Sequence, residues 1–415
     1  MHLVRSFTRW RKAGGRVRIT AQLVHVQDGY PLWSERFDRE LDDVFAIQEE
    51  IALAIADKLR VDLAASARDS LARHGTANLE AHDAYLLGLH ELNRRTTQSV
   101  EHAIQHFERA VELDPEFAEA YAGLADALSQ AALWLSTLPD SAGSSRSKRA
   151  AERAAALDPN LHSAHTSIGY CRLLEWDLAG AETAFARSLE LSPNYTKALQ
   201  WQAHVLIAKG EYEPSRESFR RALECDPLSI LVRNEAGWPY LFMGRHAEAV
   251  DHYKGVLEDD PSFGLAHYNL GNSYEIARQY DAAIECYDRA ITIMGRSPLI
   301  LLWLAPAHAL DDQMSEALTI KEELLELAGS SDGMFLFLAV VCDAMHETTE
   351  ALDWLERAFQ ERNPWLVFVV AGNSILPFDN IRDKPRFRAI MKKVTAAQPA
   401  RKGAGSSGET SRSPS

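Results

Sequence analysis

The sequence predicts a mainly α-helical solenoid of about eight helix-turn-helix units, preceded by a partial β-hairpin and a connecting helix. Three observations predict this fold. Residue types recur every 34 positions through the middle of the chain, apolar and polar residues alternate near its start, and the segment after the last repeat departs from the pattern. Repeats of this length are typical of stacked helical hairpins, since each hairpin buries its apolar face only against its neighbours.

Four columns of residues carry the repeat. The small column is Gly169, Ala203, Gly237, Gly271, Ala305 and Ala339. The second column is Ala181, Ser215, Ala249, Ala283, Ala317 and Ala351. The bulky column is Phe185, Phe219, Tyr253, Tyr287, Lys321 and Leu355. The closing column is Pro193, Pro227, Pro261, Gly295, Gly329 and Asn363. Small residues let two helices approach, bulky ones fill the space between hairpins, and Pro or Gly ends the second helix.

The predicted array covers residues 80–363. Its units are expected to end near positions 115, 159, 193, 227, 261, 295, 329 and 363. The first two units are looser, with three and ten extra residues, the latter around "TLPDSAGSSRS". Pro239 and Pro306 fall inside first helices, and each is expected to kink its helix or shift its start.

The flanking segments complete the prediction. A helix is expected within residues 41–70, with Val44, Ile47, Ile51, Ile55 and Leu59 as its buried stripe. Residues 364–395 form a C-terminal cap that ends in a helix from Pro385, because an array must cover its last apolar face. Residues 396–415 lack apolar content and are expected to be disordered.

The four columns resemble the signature of the tetratricopeptide repeat over about two thirds of the chain. The resemblance implies a right-handed α-solenoid whose first helices line a concave groove that binds a protein or peptide. Positions three before and one after each small residue would then face that groove. With one neighbouring charge, the candidate groove residues are Thr166, Tyr170, Lys197, Gln200, His204, Asn234, Trp238, Tyr268 and Asn272.

These residue types suit a polypeptide ligand. Amides bond a peptide backbone in both directions, and aromatic rings supply contact area at low entropic cost. Two interpretations stay open, since the same side chains could simply pack between helices, above all Trp238 and Tyr170. For Asn234 and Asn272 we expect a role in binding, with little effect on stability. Farther along, the column turns apolar at Leu302, Leu336 and Val340, where core or cap contacts are expected.

Residues 1–40 predict part of a sheet. "RVRITAQLVHV" alternates polar and apolar residues, Asp28-Gly29 marks a tight turn, and "PLWSERFDRE" returns. "GGRVR", "ERFDR" and "DVFAIQ" resemble the closing half of a TolB-like amino-terminal domain that precedes such repeats in bacterial signalling proteins. "MHLVRSFTRW" does not resemble the earlier strands, so a truncated domain is expected. Its unpaired strand would be poorly ordered or pair elsewhere, and self-association through this N-terminal strand is one expectation.

Charge and motifs narrow the function. The net charge is −15, and since residues 1–39 carry +5 and residues 384–415 carry +7, the part between them carries −27. Such acidity argues against nucleic acid as a partner. We find no phosphate-binding, dinucleotide, nucleophile-elbow or zinc-protease motif, and the pair His102 and His106 lacks a third ligand. A non-enzymatic protein without cofactor or metal is expected.

No membrane span is predicted, so the chain as written is expected to be cytoplasmic, or periplasmic if an upstream span belongs to it.

Two functional hypotheses follow. In the first, the chain is a protein- or peptide-binding scaffold and the sensory or regulatory part of a bacterial signalling system. In the second, it is the TolB-like and repeat half of a truncated adenylate cyclase or transcriptional regulator. The second is implied by the resemblance, since such halves follow a cyclase, a winged-helix domain or a kinase in that family.

Overall fold

The computed structural model describes residues 4–13, 16–25, 31–40, 54, 75–94, 96–132, 140–329, 334–371 and 378–398. The chain divides into two units, Met1–Leu79 and Glu80–Ser415. Apart from residue 54 and residues 396–398, the predicted connecting helix within 41–70 and the predicted disordered tail, 396–415, lie outside the described residues.

The first unit contains a three-stranded antiparallel sheet. Its strands are β1 (Val4–Ala13), β2 (Arg16–His25) and β3 (Pro31–Glu40), in the order β1-β2-β3. The predicted hairpin is present as β2 and β3, whose register is irregular between Leu23 and Val24. The expectation of an unpaired strand is wrong, because the first residues form the strand β1. β1 pairs with β2 along its whole length, from Val4 opposite His25 to Ala13 opposite Arg16. Because β2 lies in the centre, the predicted unpaired strand has partners on both sides.

The second unit contains eight successive helix pairs, which confirms the predicted helical solenoid. The helices of pairs 1 to 4 are α1 (Leu79–Arg94) and α2 (Thr97–Leu113), α3 (Ala118–Gln130) and α4 (Asp140–Leu157), α5 (His162–Leu174) and α6 (Leu178–Leu191), and α7 (Thr196–Ala208) and α8 (Tyr212–Cys225). Pair 5 has a divided first helix, α9 (Ile230–Glu235) and α10 (Trp238–Phe242), followed by α11 (His246–Asp259). Pairs 6 to 8 are α12 (Gly264–Ile276) and α13 (Tyr280–Met294), α14 (Pro298–Leu310) and α15 (Met314–Ala328), and α16 (Met334–Ala344) and α17 (Thr348–Gln360).

Within a pair, the small column packs on the bulky column sixteen positions later. A Cβ atom built on Gly271 would lie 2.5 Å from the Cε1 atom of Tyr287, and one on Gly169 would lie equally close to the ring of Phe185. No side chain fits at these distances, so the repeat requires a small residue here. The rings of both aromatic residues are fully buried.

In pairs 3 to 8, the turn inside each pair contains a residue with positive φ. These residues also recur every 34 positions, and they are Trp176, Gly210, Gly244, Arg278, Asp312 and His346. The backbone N–H of the residue that follows bonds back to the first helix, as Asp177 does to Arg172 O at 2.8 Å. This pattern is a common way to end a helix, and glycine adopts it at least cost. Only two of the six are glycines, so composition alone does not reveal this fifth column.

The two prolines and the insertion that interrupt the repeat pattern have different effects on the helices. At Pro239 the first helix of pair 5 is interrupted, with α9 ending at Glu235 and α10 beginning at Trp238, as the proline predicts. At Pro306 the helix α14 continues as one element. Part of the predicted insertion in pair 2 is helical, because α4 begins at Asp140 and includes "DSAGSSRS".

After pair 8 come α18 (Leu366–Val370) and α19 (Pro385–Ala396). Helix α19 packs against α17 and buries Phe387 and Ile390. Helix α18 contacts α19 and also α7 of pair 4, and so lies against both the cap and earlier repeats. Among the described helices, none is both long and apolar enough to cross a bilayer.

Candidate functional site

The first helices of the pairs form one continuous inner layer. Helix α5 contacts both α3 and α7, and α14 contacts both α12 and α16, so first helices of successive pairs touch one another. The candidate groove residues all lie on these first helices, in pairs 3 to 6. The inner layer is therefore where a concave binding surface is expected.

The structure corrects the expectation that these residues form an open surface. Eight of the nine are at most 4% exposed, namely Thr166, Tyr170, Gln200, His204, Asn234, Trp238, Tyr268 and Asn272. Lys197 is the partial exception, with a quarter of its side chain exposed and its ammonium paired to Asp126 of pair 2. In this conformation the set packs between helices, which is the alternative that the sequence leaves open.

Glu235 joins two of the predicted residues. Its Oε2 accepts hydrogen bonds from Gln200 Nε2, at 2.5 Å, and from His204 Nε2, at 2.8 Å. All three side chains are buried. A buried carboxylate is stable only with such partners. The amide and the imidazole on pair 4 therefore bind the side chain of Glu235 from pair 5 and are not available to a ligand in this conformation.

A second buried network lies in pair 6. Tyr287 Oη is 2.9 Å from Asn272 Oδ1 and 2.7 Å from Glu275 Oε2. Burial raises the pKa of Glu275 to about 8, against an ordinary value of 4.5. The single phenolic proton cannot serve both oxygens fully. A protonated Glu275 resolves this, since its own hydroxyl donates to Tyr287, whose proton then goes to Asn272.

The remaining predicted residues also have neighbours within the array. Thr166 Oγ1 lies 2.8 Å from Ser188 Oγ, and Asn234 Oδ1 accepts from Asn269 Nδ2 at 3.3 Å. Tyr170 stacks on Trp201, with ring centroids 3.8 Å apart. Each of these contacts joins elements within or between neighbouring repeats. They therefore specify how the helices stack.

Trp238 differs, because a segment from beyond the repeats covers it. Residues 363–371, here called the inner segment, follow pair 8 and contain α18. The ring of Trp238 lies 5.9 Å from that of Trp365 and 6.4 Å from that of Phe368. Phe368 also lies 6.3 Å from Phe242 on the same helix as Trp238. The predicted groove is thus filled by the chain itself at this point.

Two hydrogen bonds hold the inner segment at its ends. Trp176 Nε1, in the turn of pair 3, donates to the carbonyl oxygen of Asn363 at 3.2 Å. Tyr212 Oη, at the start of α8 in pair 4, donates to the carbonyl oxygen of Ala371 at 2.9 Å. Just before the segment, the Arg362 guanidinium lies 5.0 Å from the centre of the Trp176 ring. Pairs 3, 4 and 5 therefore form the receiving surface.

Reactive side chains are not arranged for catalysis in the part of the chain that the structure describes. Burial raises the pKa of the thiols of Cys171 and Cys286 to about 11, so neither is a thiolate at neutral pH. Cys342, Glu347 and Glu350 lie within reach of one metal ion. However, Lys321 Nζ bonds both carboxylates, at 2.6 and 3.0 Å, and already supplies the positive charge.

Sequence reasoning missed several residues of this site. Glu235 sits between two groove positions, and a charged residue inside an apolar helix face is itself a signal that could have found it. Trp176, within "EWD", carries no local sign of its distant partner. The inner segment falls within the predicted cap, because its apolar sequence "WLVFVV" suits either role.

The comparisons with known proteins agree with this architecture. Models of the tetratricopeptide repeat match residues 264–294 and residues 196–227. Putative adenylate cyclase 3 of Rhizobium meliloti (strain 1021) is 35% identical over 114 residues, which cover 28% of this chain and 19% of that protein. Anaphase-promoting complex subunit 3 of Schizosaccharomyces pombe (strain 972 / ATCC 24843) is 27% identical over 185 residues, which cover 45% and 28% respectively. The chain thus spans less than a third of each relative.

Among solved structures, a tetratricopeptide repeat protein from Parabacteroides merdae ATCC 43184 is similar, with 14% identity and a TM-score of 0.43. The similarity covers 62% of this chain and 94% of that one. The two segments that match the repeat family coincide with helix pairs 4 and 6 of the array. Helix pairs 4 and 6 are therefore the parts of the chain that match the tetratricopeptide repeat family.

Proposed function

We propose that this chain is a scaffold that binds a protein or peptide on the inner layer of its helix pairs. One observation carries the proposal: the inner layer of pairs 3 to 5 already holds a polypeptide segment, residues 363–371, through aromatic contacts and two hydrogen bonds to backbone carbonyls. A surface that holds one peptide in this way has the chemistry to hold another. Of the candidate groove residues, Trp238 would then form the floor of the site and the partly exposed Lys197 its margin.

The proposed cellular setting is the sensory or regulatory part of a bacterial signalling system. The partial similarity to a protein named as a putative adenylate cyclase supports this setting. The alternative is that the chain belongs to such a cyclase or regulator as its repeat half. Both hypotheses use the array in the same way, as the part that recognises a protein.

Site-specific photo-cross-linking in the native cell tests the binding function. A photoreactive residue replaces Lys197, on the inner layer, and the matched control replaces Arg220, which is exposed on the second helix of the same pair. We expect a cross-linked protein from position 197 and none from position 220. Equal cross-linking at both positions, or none at 197, would overturn the proposal.

A further inference from the structure

We propose that the inner segment, residues 363–371, is an intramolecular ligand of pairs 3 to 5, and that a partner displaces it to bind the same surface. The partner is a protein segment with an uncharged centre that carries two aromatic side chains three residues apart, as Trp365 and Phe368 do. This inference rests on the proposed function, since it specifies what the binding surface recognises and how that surface is kept closed.

Two polar contacts with the array are independent of the segment's own side chains. Trp176 and Tyr212 both donate to backbone carbonyl oxygens, those of Asn363 and Ala371. Any peptide offers such acceptors. The donors come from the array, so the receiving surface keeps them when another chain takes the segment's place.

The apolar contacts select aromatic residues. Trp238 lies 5.9 Å from the ring of Trp365 and meets Phe368 edge-on, with an interplanar angle of 81°. Trp365 and Phe368 are themselves 5.5 Å apart, because three positions separate them on one helical turn. The five residues of α18 contain no charge, and four of them are buried. A charged segment would lose hydration here without finding a partner.

The segment is not needed to build the repeats that it covers. In a repeat array each unit is stabilised by its neighbours, and pairs 3 to 5 have those contacts already. The inner segment reaches them from beyond pair 8, with 187 positions between Trp176 and Asn363. Its helix has only five residues, too short to be stable on its own. It therefore depends on its neighbours, which are α19 of the cap and the surface of pairs 3 to 5.

A peptide-binding assay tests displacement. The probe is a fluorescein-labelled peptide of residues 362–372 (RNPWLVFVVAG), added to the full chain and followed by anisotropy. The variant Trp365→Ala/Phe368→Ala removes both aromatic contacts of the inner segment. Because the tethered segment competes at high effective concentration, we expect the variant to bind the probe about 100-fold more tightly than the natural chain.

Two controls assign the site. Adding Trp238→Ala to the double variant should abolish binding of the probe, and a probe with serine at both aromatic positions should bind neither protein. If the natural chain and the double variant bind the probe equally, displacement is wrong while peptide binding stands. If the folded double variant binds no probe, the inference is wrong, and the cross-linking at position 197 still decides the proposed function.

A second measurement guards against misfolding of the double variant. Unlabelled probe is added in excess to the natural chain, and hydrogen exchange is read for the amides of α18 and of α17. Displacement predicts faster exchange in α18 with no change in α17. Unchanged exchange in α18 at a probe concentration that saturates binding would overturn the inference.

Discussion

The indole nitrogen of Trp176 donates a hydrogen bond of 3.2 Å to the backbone carbonyl oxygen of Asn363, although 187 positions separate the two residues. Trp176 occupies the positive-φ turn of pair 3, whereas Asn363 follows the last helix of pair 8. Both are buried, and Phe359 of pair 8 also approaches the indole, with ring centroids 6.0 Å apart. The third and eighth pairs of the array are thereby joined directly.

Replacing Trp176 by Phe should weaken this junction. The substitution keeps an aromatic ring under Arg362 but removes the N–H donor, which leaves the Asn363 carbonyl without that partner. A hydrogen bond of this kind contributes about 0.5–1.5 kcal/mol net, so urea unfolding should show a loss of that size.

Trp354→Phe is the matched control for the indole. Its Nε1 donates within the same helix, to Glu350 Oε1 at 3.2 Å, and its side chain is partly exposed. Water can replace this bond, so the expected loss is below about 0.5 kcal/mol. If both variants lose the same unfolding free energy, the long-range hydrogen bond contributes no more to stability than the exposed local one, and the prediction is wrong.

Two glycines provide a paired test of the repeat packing. Gly271→Ala would place a Cβ 2.5 Å from the Tyr287 ring, and overpacking of this kind costs about 1–3 kcal/mol. Gly255 lies inside α11, and a Cβ at that position would have no neighbouring atom within 4 Å, so Gly255→Ala should stabilise the chain by about 0.5–1 kcal/mol. Thermal unfolding monitored by circular dichroism measures both. The same sign for both substitutions would contradict the packing argument.

Glu275 should make stability depend on pH. Its pKa is about 8 in the folded chain, against an ordinary value of 4.5, so the folded state keeps a proton that the unfolded state releases between these values. The stabilising contribution of this group is complete below the lower value and declines as pH rises toward the upper one.

Glu275→Gln removes that proton exchange. The unfolding free energy of the variant minus that of the natural chain should therefore rise between pH 5 and pH 8, by at most about 1.4 kcal/mol per pH unit. Asp343, whose pKa burial raises to about 6, contributes equally to both proteins and cancels. Denaturant unfolding across this range measures the difference. Glu258→Gln, at an exposed position, is the control and should show no such rise.

Asn272→Ala should affect stability, contrary to what the sequence indicates. Its Oδ1 accepts a hydrogen bond from the buried Tyr287 hydroxyl at 2.9 Å. Loss of that acceptor inside the array costs about 1–3 kcal/mol. Asn93→Ala, at an exposed position of α1, should change stability little, and urea unfolding compares the two. An unchanged midpoint for Asn272→Ala would restore the interpretation of this residue as a binding residue.

The fold was predictable where one local rule repeats. Gly169, Gly237 and Gly271 each face an aromatic residue sixteen positions later, so the same steric requirement appears in several units. The positive-φ turns were not predictable, because Arg278 and Asp312 adopt there a conformation that composition associates with glycine. The first strand was not predicted from the sequence, for a different reason. β1 is recognised by its pairing with β2, which is a contact between segments and leaves little trace in "VRSFTRWRKA".

The positions of the candidate residues on the first helices were predictable, whereas their exposure to solvent was not. The spacing around the small column places Asn234 and Trp238 on the first helices of pair 5, because helical periodicity determines which residues share a face. Whether that face meets solvent, a neighbouring repeat or another part of the chain depends on residues far away. Glu235 and the inner segment supply those contacts, and no local pattern shows which residues either of them meets.

By itself the sequence determined the repeat: its period, the helix pairs and the inner layer of first helices all follow from rules that act within 34 residues. Only the tertiary structure decided what occupies that layer. Burial of Gln200 and His204 around Glu235 arises where two repeats meet, and the closure over Trp238 arises where the end of the array returns to its middle. Contacts between neighbours in sequence are constrained by local geometry, whereas a contact between pair 3 and the residues after pair 8 exists only once the whole superhelix has formed.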